Sequence, residues 1–316
     1  MPDSHAASAI DLSTYRIFDP SDPFEDYVGP IHYRNDGPAV HSVMPTDARH
    51  ANAGGILHGG AILTFADYAL CVTCGHAASG GQVPGSFAMT VSLNVQFLAP
   101  GRLGPAIEST GTATQVTGRM AFARGSVWQE GVRLATYSGV TRHISRDKAM
   151  GRRDDEGLTR APGGTRPPGP PDGVAPPDGF RSVLRPSAFL NAIGPTFFRE
   201  ADAGTHVVQP TYPHMLNSGA SIHGGMLMTF ADNAFCTAVA SRLGKAPSTV
   251  GFTAEFLAGS AIDGPLETTV DLARATERMT FPTGVVTQNG KALLSYSAVV
   301  ALRDWKRPTG ADGAPA

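Results

Sequence analysis

Residues 52–71 read NAGGILHGGAILTFADYALC, and residues 217–236 repeat them as NSGASIHGGMLMTFADNAFC. Every position shifts by 165, and eleven of the twenty residues are identical. The identical residues include an Asn, a His, two adjacent Gly, a Thr and an Asp, whereas Ile, Leu and Met interchange. In a repeat retained only for packing, the polar residues would differ between the two copies. We therefore interpret this repeat as a duplicated functional site.

The repetition extends well beyond these twenty residues. Upstream it keeps the same offset, so that Gly29-Pro30 recurs as Gly194-Pro195, and downstream of a shorter loop the offset becomes 159. A chain of 316 residues is long enough for about two domains. We predict two homologous domains, at residues 26–145 and 186–304.

The segment between the two units has an unusual composition. Arg146–Gly179 contains seven Pro and seven Gly among its 34 residues and few large apolar side chains. Because such a composition cannot bury a core, we predict a disordered linker over residues 146–185. A flexible chain of this length spans roughly 30 Å, enough for the second unit to dock beside the first. Residues 1–25 and 305–316 are expected to be flexible ends.

The overall composition excludes several classes of function. The chain has 41% hydrophobic and 16% charged residues, as in ordinary globular proteins, and its formal net charge of −2 gives no electrostatic footprint for nucleic acid or an anionic membrane. No stretch approaches the ~20 apolar residues of a membrane span, and the N-terminus does not resemble a signal peptide. We expect a cytoplasmic protein without a metal site, in which Cys71 and Cys74 are small buried residues rather than a metal or redox pair.

The coarse secondary structure is the same in both units. His58–Ala78 is apolar almost all round, which predicts a buried helix. Apolar and polar residues alternate in Val91–Phe97 and in Val250–Phe256, which predicts half-buried strands. Glu130-Gly131 and Asn289-Gly290 are expected to form two-residue hairpin turns. One long buried helix against a mostly antiparallel sheet makes each unit an α+β domain.

Asp67 and Asp232 fall in the middle of the two predicted helices, among apolar residues. An ionised carboxylate there costs several kcal/mol unless it is paired or reaches a wet cleft. One such Asp could be structural, bonded to a backbone amide across an interface, but its recurrence behind the same His-Gly-Gly favours a functional role. Gly59 and Gly224 stand where the helices begin, and there glycine allows either a tight turn or close approach of backbone N–H groups to a ligand. Together these residues indicate an oxyanion site with a carboxylate base or nucleophile.

The distance between these groups predicts how the units are arranged. Gly59 and Asp67 are eight residues apart on one helix, about 12 Å along its axis, whereas a reacting carbonyl must lie ~3 Å from both donor and base. Two antiparallel helices side by side satisfy this requirement, because each presents its N-terminus to the carboxylate of the other. We therefore pair Gly59 with Asp232 and Gly224 with Asp67, in two composite sites across a pseudo-two-fold interface.

The pattern Asn-x5-His-Gly-Gly-x4-(aromatic or Leu)-Ala-Asp-x-Ala, present in both units, resembles the phenylacetate-pathway branch of the hotdog-fold acyl-CoA thioesterases, in the 4-hydroxybenzoyl-CoA thioesterase superfamily. In this family a long helix is wrapped by an antiparallel sheet and paired units share their sites. The resemblance therefore implies two hotdog units that form an intramolecular pseudo-dimer. It also implies that the groups polarising the thioester carbonyl are the N–H groups of Gly59 and Gly224 and the side chains of Asn52 and Asn217.

The same resemblance implies roles for three further pairs of residues. The carboxylates that would activate water or attack the thioester directly are Asp67 and Asp232. The histidines that would shape the glycine turns are His58 and His223, and the hydroxyls that would position the water are Thr90 and Thr249.

Coenzyme A contacts of the family fall after the long strand and at the next hairpin, which here implicates Arg102, Arg119 and Arg278. The second unit has Ala261 where the first has Arg102, so phosphate binding at the two sites is expected to differ. Arg119 and Arg278 are equally consistent with solvated hairpin residues.

Hydrolysis of an acyl-CoA thioester to the free acid and CoA is the leading functional hypothesis. The alternatives are a non-catalytic acyl-CoA binding or sensing module and a hotdog hydratase or dehydratase, although no Asp-x-Asn-Pro-x-His segment supplies a hydratase dyad. We expect no cofactor, since CoA belongs to the substrate, and no nucleic-acid or membrane partner. The acyl group cannot be deduced from the sequence, and two such chains could pair again as a homodimer.

Overall fold

The computed structural model describes residues 10–18, 22–80, 86–145, 166–183 and 187–305. Its α-helices comprise two of 20 residues and two of six. In chain order they are α1 (Pro23–Val28), α2 (Gly59–Ala78), α3 (Ala188–Ile193) and α4 (Gly224–Leu243). Short turns of 3₁₀ helix lie at Leu12–Thr14, Ala48–His50 and Pro213–Met215.

Fifteen strands form one antiparallel sheet, which makes the described chain an α+β structure with few helices, as the sequence predicted. The strands of the first half are β1 (Arg16–Ile17), β2 (His32–Asp36), β3 (Ala39–Met44), β4 (Ser86–Phe97), β5 (Ile107–Val116), β6 (Met120–Gln129) and β7 (Val132–Ser145). Those of the second half are β8 (Arg181–Ser182), β9 (Phe197–Ala201), β10 (Gly204–Gln209), β11 (Ala246–Phe256), β12 (Leu266–Val270), β13 (Met279–Thr280), β14 (Thr283–Gln288) and β15 (Lys291–Arg303). Their order across the sheet is β1-β2-β3-β5-β6-β7-β4-β11-β15-β14-β12-β10-β9-β8, with β13 paired to β15.

The two halves of the sheet meet where β4 pairs with β11. Leu93 lies opposite Ala254 and Val95 opposite Phe252, and the Asn94 amide donates a 2.6 Å hydrogen bond to Thr253 Oγ1 at the centre of this pairing. Strands on either side follow the same order outward from the centre. The sheet is therefore continuous through both repeats and approximately two-fold symmetric.

Both predicted hairpin turns are confirmed. Glu130 and Gly131 join β6 to β7 with φ values of 48° and 78°, and Asn289 and Gly290 join β14 to β15 with φ values of 49° and 77°. Positive φ at both central residues is the type I′ geometry, whose twist matches that of the flanking strands.

The long helices α2 and α4 pack against each other and against the sheet. They run antiparallel, since Gly60 of α2 lies against Thr229 and Gly225 of α4 lies against Thr64. A Cβ at Gly60 would fall 2.7 Å from the Thr229 side chain, and one at Gly225 would fall 2.9 Å from Thr64 Cα. Glycine at the first turn of each helix is thus what allows the helices to approach so closely.

By length and composition alone, α2 could cross a membrane, and it is the one helix among the described residues that meets these criteria. This differs from the expectation that no stretch approaches such a span. However, 78% of its apolar window is buried inside the structure. Its neighbours are α4 and strands β3 to β7, so its apolar character on every side matches that of a core helix.

The segments expected to be flexible contain ordered elements where the structure describes them. At the N-terminal end, β1 pairs with β2, and α1 buries Phe24 completely. In the predicted linker, Arg166 stacks over the Tyr27 ring at 4.1 Å, and β8 pairs with β9. Aromatic and edge-strand contacts therefore anchor parts of both segments that their composition suggested were loose. Residues 1–9, 19–21, 146–165, 184–186 and 306–316, where the other expected flexible residues fall, lie outside the described residues.

Candidate active site

The Asp67 carboxylate lies at the N-terminus of the opposite helix. A Cβ built on Gly224 would lie 2.8 Å from Asp67 Oδ2, and the Gly225 N–H also bonds toward this carboxylate. Asp67 Oδ1 accepts a 2.6 Å hydrogen bond from the Thr90 hydroxyl on β4. Burial raises the pKa of Asp67, and His223, Thr90 and the Gly225 amide partly offset this effect. Glycine, threonine and carboxylate thus converge on one point, although Gly224 and Asp67 are 157 residues apart in the chain.

The second repeat forms the reciprocal arrangement. A Cβ at Gly59 would lie 3.6 Å from Asp232 Oδ2, and Asp232 Oδ1 accepts a 2.8 Å hydrogen bond from the Thr249 hydroxyl on β11. Burial raises the pKa of Asp232 to about 6, against a smaller opposite effect of Thr249. Asp67 and Asp232 are only 3% and 4% exposed. Each carboxylate therefore sits in a desolvated position that favours a proton acceptor of moderate pKa.

The histidines cap the two long helices. His58 Nδ1 accepts a 2.9 Å hydrogen bond from the Gly60 N–H, and His223 Nδ1 accepts one of 2.9 Å from the Gly225 N–H. The first N–H groups of a helix have no carbonyl partner within the helix. The amides of Gly59 and Gly224, which precede the capped glycines, therefore remain donors for a ligand.

The predicted asparagines lie in the loops that lead into these caps. Asn52 Oδ1 accepts hydrogen bonds from the N–H groups of Gly54 and Ile56, at 2.8 and 3.2 Å. Asn217 Oδ1 does the same for Gly219 and Ser221. Since the carbonyl oxygen of each side chain holds its loop, the amide nitrogen is the group that can donate to a substrate oxygen.

A cavity of about 400 Å³ opens beside Asp67. Its polar wall includes Asp67, Thr90, His223 and Gly224, and the rest is mainly apolar. The apolar and aromatic side chains in the lining are Phe18, Tyr68, Val72, Phe87, Met89, Ile144 and Phe256. A carboxylate, a free helix N-terminus and an apolar cavity at one point are the elements needed to bind an acyl group and cleave it.

Comparison with known proteins supports a hydrolytic role for this arrangement. Residues 54–136, which include Gly59, Asp67 and Thr90, match the family model described as the thioesterase superfamily. A protein of Pseudomonas aeruginosa named "Putative esterase PA0474" is 32% identical over 121 residues, which make up 87% of that protein and 38% of this chain. The chain belongs to the thioesterase superfamily.

Solved structures share the fold of this thioesterase-superfamily chain along most of its length. A protein of unknown function with a hot dog fold from Alicyclobacillus acidocaldarius aligns with a TM-score of 0.57 and 18% identity, covering 90% of this chain and 98% of that one. The acyl-CoA thioesterase II TesB2 of Mycobacterium marinum aligns with a TM-score of 0.51 and 12% identity, covering 90% and 99%. The shared fold therefore extends over both halves of the chain, not only over one repeat.

The three arginines predicted to contact coenzyme A do not line the cavity beside Asp67. Arg102 is exposed and forms an ion pair with Glu130, and Arg119 and Arg278 are exposed at turns. The arginine that lines the cavity beside Asp67 is instead Arg142, on β7. Sequence reasoning missed Arg142 because its position in an alternating strand resembles any solvated residue, and its counterpart at the offset of 159 is Ala301.

Two acidic residues were also missed. Asp22 and Glu25, at the start of α1, line the same cavity and lie beside His223. Asp22, Glu25 and His223 form a group whose potential ligand atoms lie within 4.8 Å of one another, and the absence of a metal site stays a prediction. The repeat gave no signal for this pair, because the offset of 165 aligns Asp22 with Ser187 and Glu25 with Leu190.

Proposed function

We propose that this protein is an acyl-CoA thioesterase with two composite sites, each built from the helix N-terminus of one repeat and the carboxylate of the other. The observation that carries the proposal is the position of the Gly224 backbone against Asp67 Oδ2, mirrored by Gly59 against Asp232. An N–H donor and a proton acceptor a few ångströms apart, beside an apolar cavity, are what acyl transfer to water requires.

In the proposed reaction at the Asp67 site, the thioester oxygen accepts hydrogen bonds from the Gly224 N–H and the Asn217 amide. Asp67 either takes a proton from water, whose oxygen bonds to the carbonyl carbon, or attacks that carbon directly before water releases the acid. In both routes the carbon–sulfur bond breaks, and CoA leaves as the thiol after gaining a proton. Thr90 holds Oδ1 of Asp67, which leaves Oδ2 for the reaction. Gly59, Asn52, Asp232 and Thr249 have the corresponding roles at the second site.

The finer parts of the proposal rest on the sequence. The first is membership of the phenylacetate-pathway branch. The second is that two hotdog units, at residues 26–145 and 186–304, act as an intramolecular pseudo-dimer. The third is that His58 and His223 shape the glycine turns. We also propose a cytoplasmic enzyme that needs no cofactor and can form homodimers. For CoA phosphates, exposed Arg102, Arg119 and Arg278 remain candidates, and Arg142 joins them because it lines the cavity.

Release of free thiol from a panel of acyl-CoAs, followed with a thiol reagent, tests the proposal. Aromatic, short-chain and medium-chain acyl groups belong in the panel, since an apolar cavity of this size admits each of them. Hydration of crotonyl-CoA serves as the control for hydratase chemistry. Hydration without thiol release would favour the hydratase alternative, and tight binding of acyl-CoA without either reaction would favour a binding module.

A further inference from the structure

The two composite sites share one backbone arrangement but differ in their side chains. Phe24 of α1 donates its backbone N–H to Leu216 O at 3.1 Å, and Phe189 of α3 donates to Ala51 O at the same distance. The ring of Phe24 lies 5.3 Å from that of His223, and the ring of Phe189 lies 5.1 Å from that of His58. Each short helix is therefore docked in the same way against the loop that carries the capping histidine of the other repeat.

The difference lies in the residues on either side of these two phenylalanines. Asp22 Oδ2 and Glu25 Oε1 each lie 3.4 Å from His223 Nε2, and Asp22 Oδ1 accepts the Ser218 N–H. The counterpart of Asp22 is Ser187, whose hydroxyl accepts the Leu190 N–H at 3.1 Å and so caps its own helix. The counterpart of Glu25 is Leu190, whose side chain cannot accept a hydrogen bond. Two carboxylates thus face one capping histidine, and among the described residues none takes their place at the other.

These carboxylates control the proton on His223. Because they face Nε2, they favour the form with Nε2 protonated, and Nδ1 is then oriented toward the Gly225 N–H and lies 3.8 Å from Asp67 Oδ2. The Gly225 N–H that Nδ1 accepts is next to the Gly224 amide, the proposed oxyanion donor, so the carboxylates at Nε2 help to hold this end of α4 against Asp67. At the other site the equivalent cap is His58 Nδ1 on the Gly60 N–H, and burial lowers the pKa of His58 to about 4.

We infer that Asp22 and Glu25 are positioning residues that act through His223 on the N-terminus of α4 at the Asp67 site, and that they serve this site alone, so that the two composite sites are unequal. The inference rests on the proposed thioester hydrolysis. It assigns the stronger activity to the Gly224–Asp67 site, where the structure also has the 400 Å³ cavity.

The activity test replaces the pair by its counterparts from the other repeat. In an Asp232→Asn background, which leaves only the Asp67 site, Asp22→Ser with Glu25→Leu should lower kcat/KM roughly 10- to 100-fold, as expected for a misplaced catalytic group. The loss should fall on kcat rather than on KM, because the pair positions the oxyanion donor. In an Asp67→Asn background, where the site that the pair serves is already disabled, the same two substitutions should change the remaining activity less than about twofold. Equal losses in the two backgrounds would refute the inference.

A second measurement does not depend on turnover. Imidazole nitrogen shifts of ¹⁵N-labelled protein, assigned with His223→Gln, should report a proton on Nε2 and none on Nδ1 of His223 at neutral pH, and a redistribution of the proton between the two nitrogens in the Asp22→Ser, Glu25→Leu variant. Unchanged shifts would overturn the inference even if the protein proved to have no thioesterase activity, whereas missing thiol release with altered shifts would refute the proposed function alone. Activity lost in EDTA and restored by Zn²⁺ would show instead that these three residues hold a metal ion, and would overturn the positioning role.

Discussion

The pairing of each glycine with the carboxylate of the other repeat can be tested with two double variants. Gly59→Val with Asp232→Asn places both lesions in one proposed site, whereas Gly59→Val with Asp67→Asn places one lesion in each. A Cβ at Gly59 makes ordinary contacts, 3.6 Å from Asp232 Oδ2 and 3.8 Å from Phe97. Alanine therefore fits, but the two methyl groups of valine would fill the space that a thioester oxygen needs.

The expected magnitudes separate the two variants clearly. Loss of an oxyanion donor costs roughly 10²–10³-fold, and loss of a general base costs ~10²–10⁴-fold. The Gly59→Val, Asp232→Asn variant should keep the whole activity of the Gly224–Asp67 site, which is about half of the wild-type activity or more. The Gly59→Val, Asp67→Asn variant should retain no more than roughly 1%.

The assay is initial-rate thiol release at saturating acyl-CoA, with thermal unfolding by circular dichroism as the check on folding. Gly59→Ala with the same Asp→Asn changes is the matched control for the steric argument, since its single methyl group fits. If each repeat instead contained its own complete site, the two valine variants would exchange phenotypes, and the shared-site geometry would be refuted. Because the spared site is the one inferred to be stronger, inequality between the sites enlarges the contrast.

Further predictions concern the carboxylates and the glycines. Asp67→Asn with Asp232→Asn should reduce turnover ~10²–10⁴-fold with an unchanged circular dichroism spectrum, and near-native hydrolysis by this variant would remove both catalytic assignments. Gly224→Ala should damage its site more than Gly59→Ala, because its Cβ would fall 2.8 Å from a carboxylate oxygen rather than 3.6 Å; similar kcat/KM values would contradict this. The pKa of Asp232 is raised from 3.8 to about 6, so the folded state binds its proton more tightly than the unfolded state does. Its contribution to stability is therefore present below pH 4 and lost as the pH rises through 6. Urea unfolding should show that the free energy of unfolding of Asp232→Asn, relative to that of wild type, rises by about 3 kcal/mol between pH 4 and pH 8. For the same reason the Asp67→Asn variant, which depends on Asp232, should lose activity below about pH 6.

Local patterns in the sequence were sufficient for the central elements. The all-round apolar run after His58 is a buried helix because α4 and the sheet cover it from opposite sides. Glu130 and Asn289 adopt positive φ because each precedes a glycine in a hairpin whose twist requires it. The antiparallel contact of α2 with α4 followed from a distance along a helix, which depends only on backbone geometry.

The contribution of α1 could not be predicted in this way. A six-residue helix has too little periodicity to show which face is buried, and Asp22 and Glu25 in its first turn look like ordinary helix-start residues. Their partner His223 lies almost 200 residues further along the chain, so no local pattern connects them. The same holds for Arg142, whose place at the cavity depends on how β7 lies beside β4.

The pairing of β4 with β11 has a consequence for how such a protein can change. A symmetric assembly of two identical subunits carries every mutation twice, so an improvement at one site that harms the other is lost. Here both halves of the sheet belong to one polypeptide, and substitutions such as Asp22 against Ser187 or Arg142 against Ala301 accumulate in one half only. One pocket is therefore free to take up a new acyl group by mutation while its neighbour continues to supply the original activity.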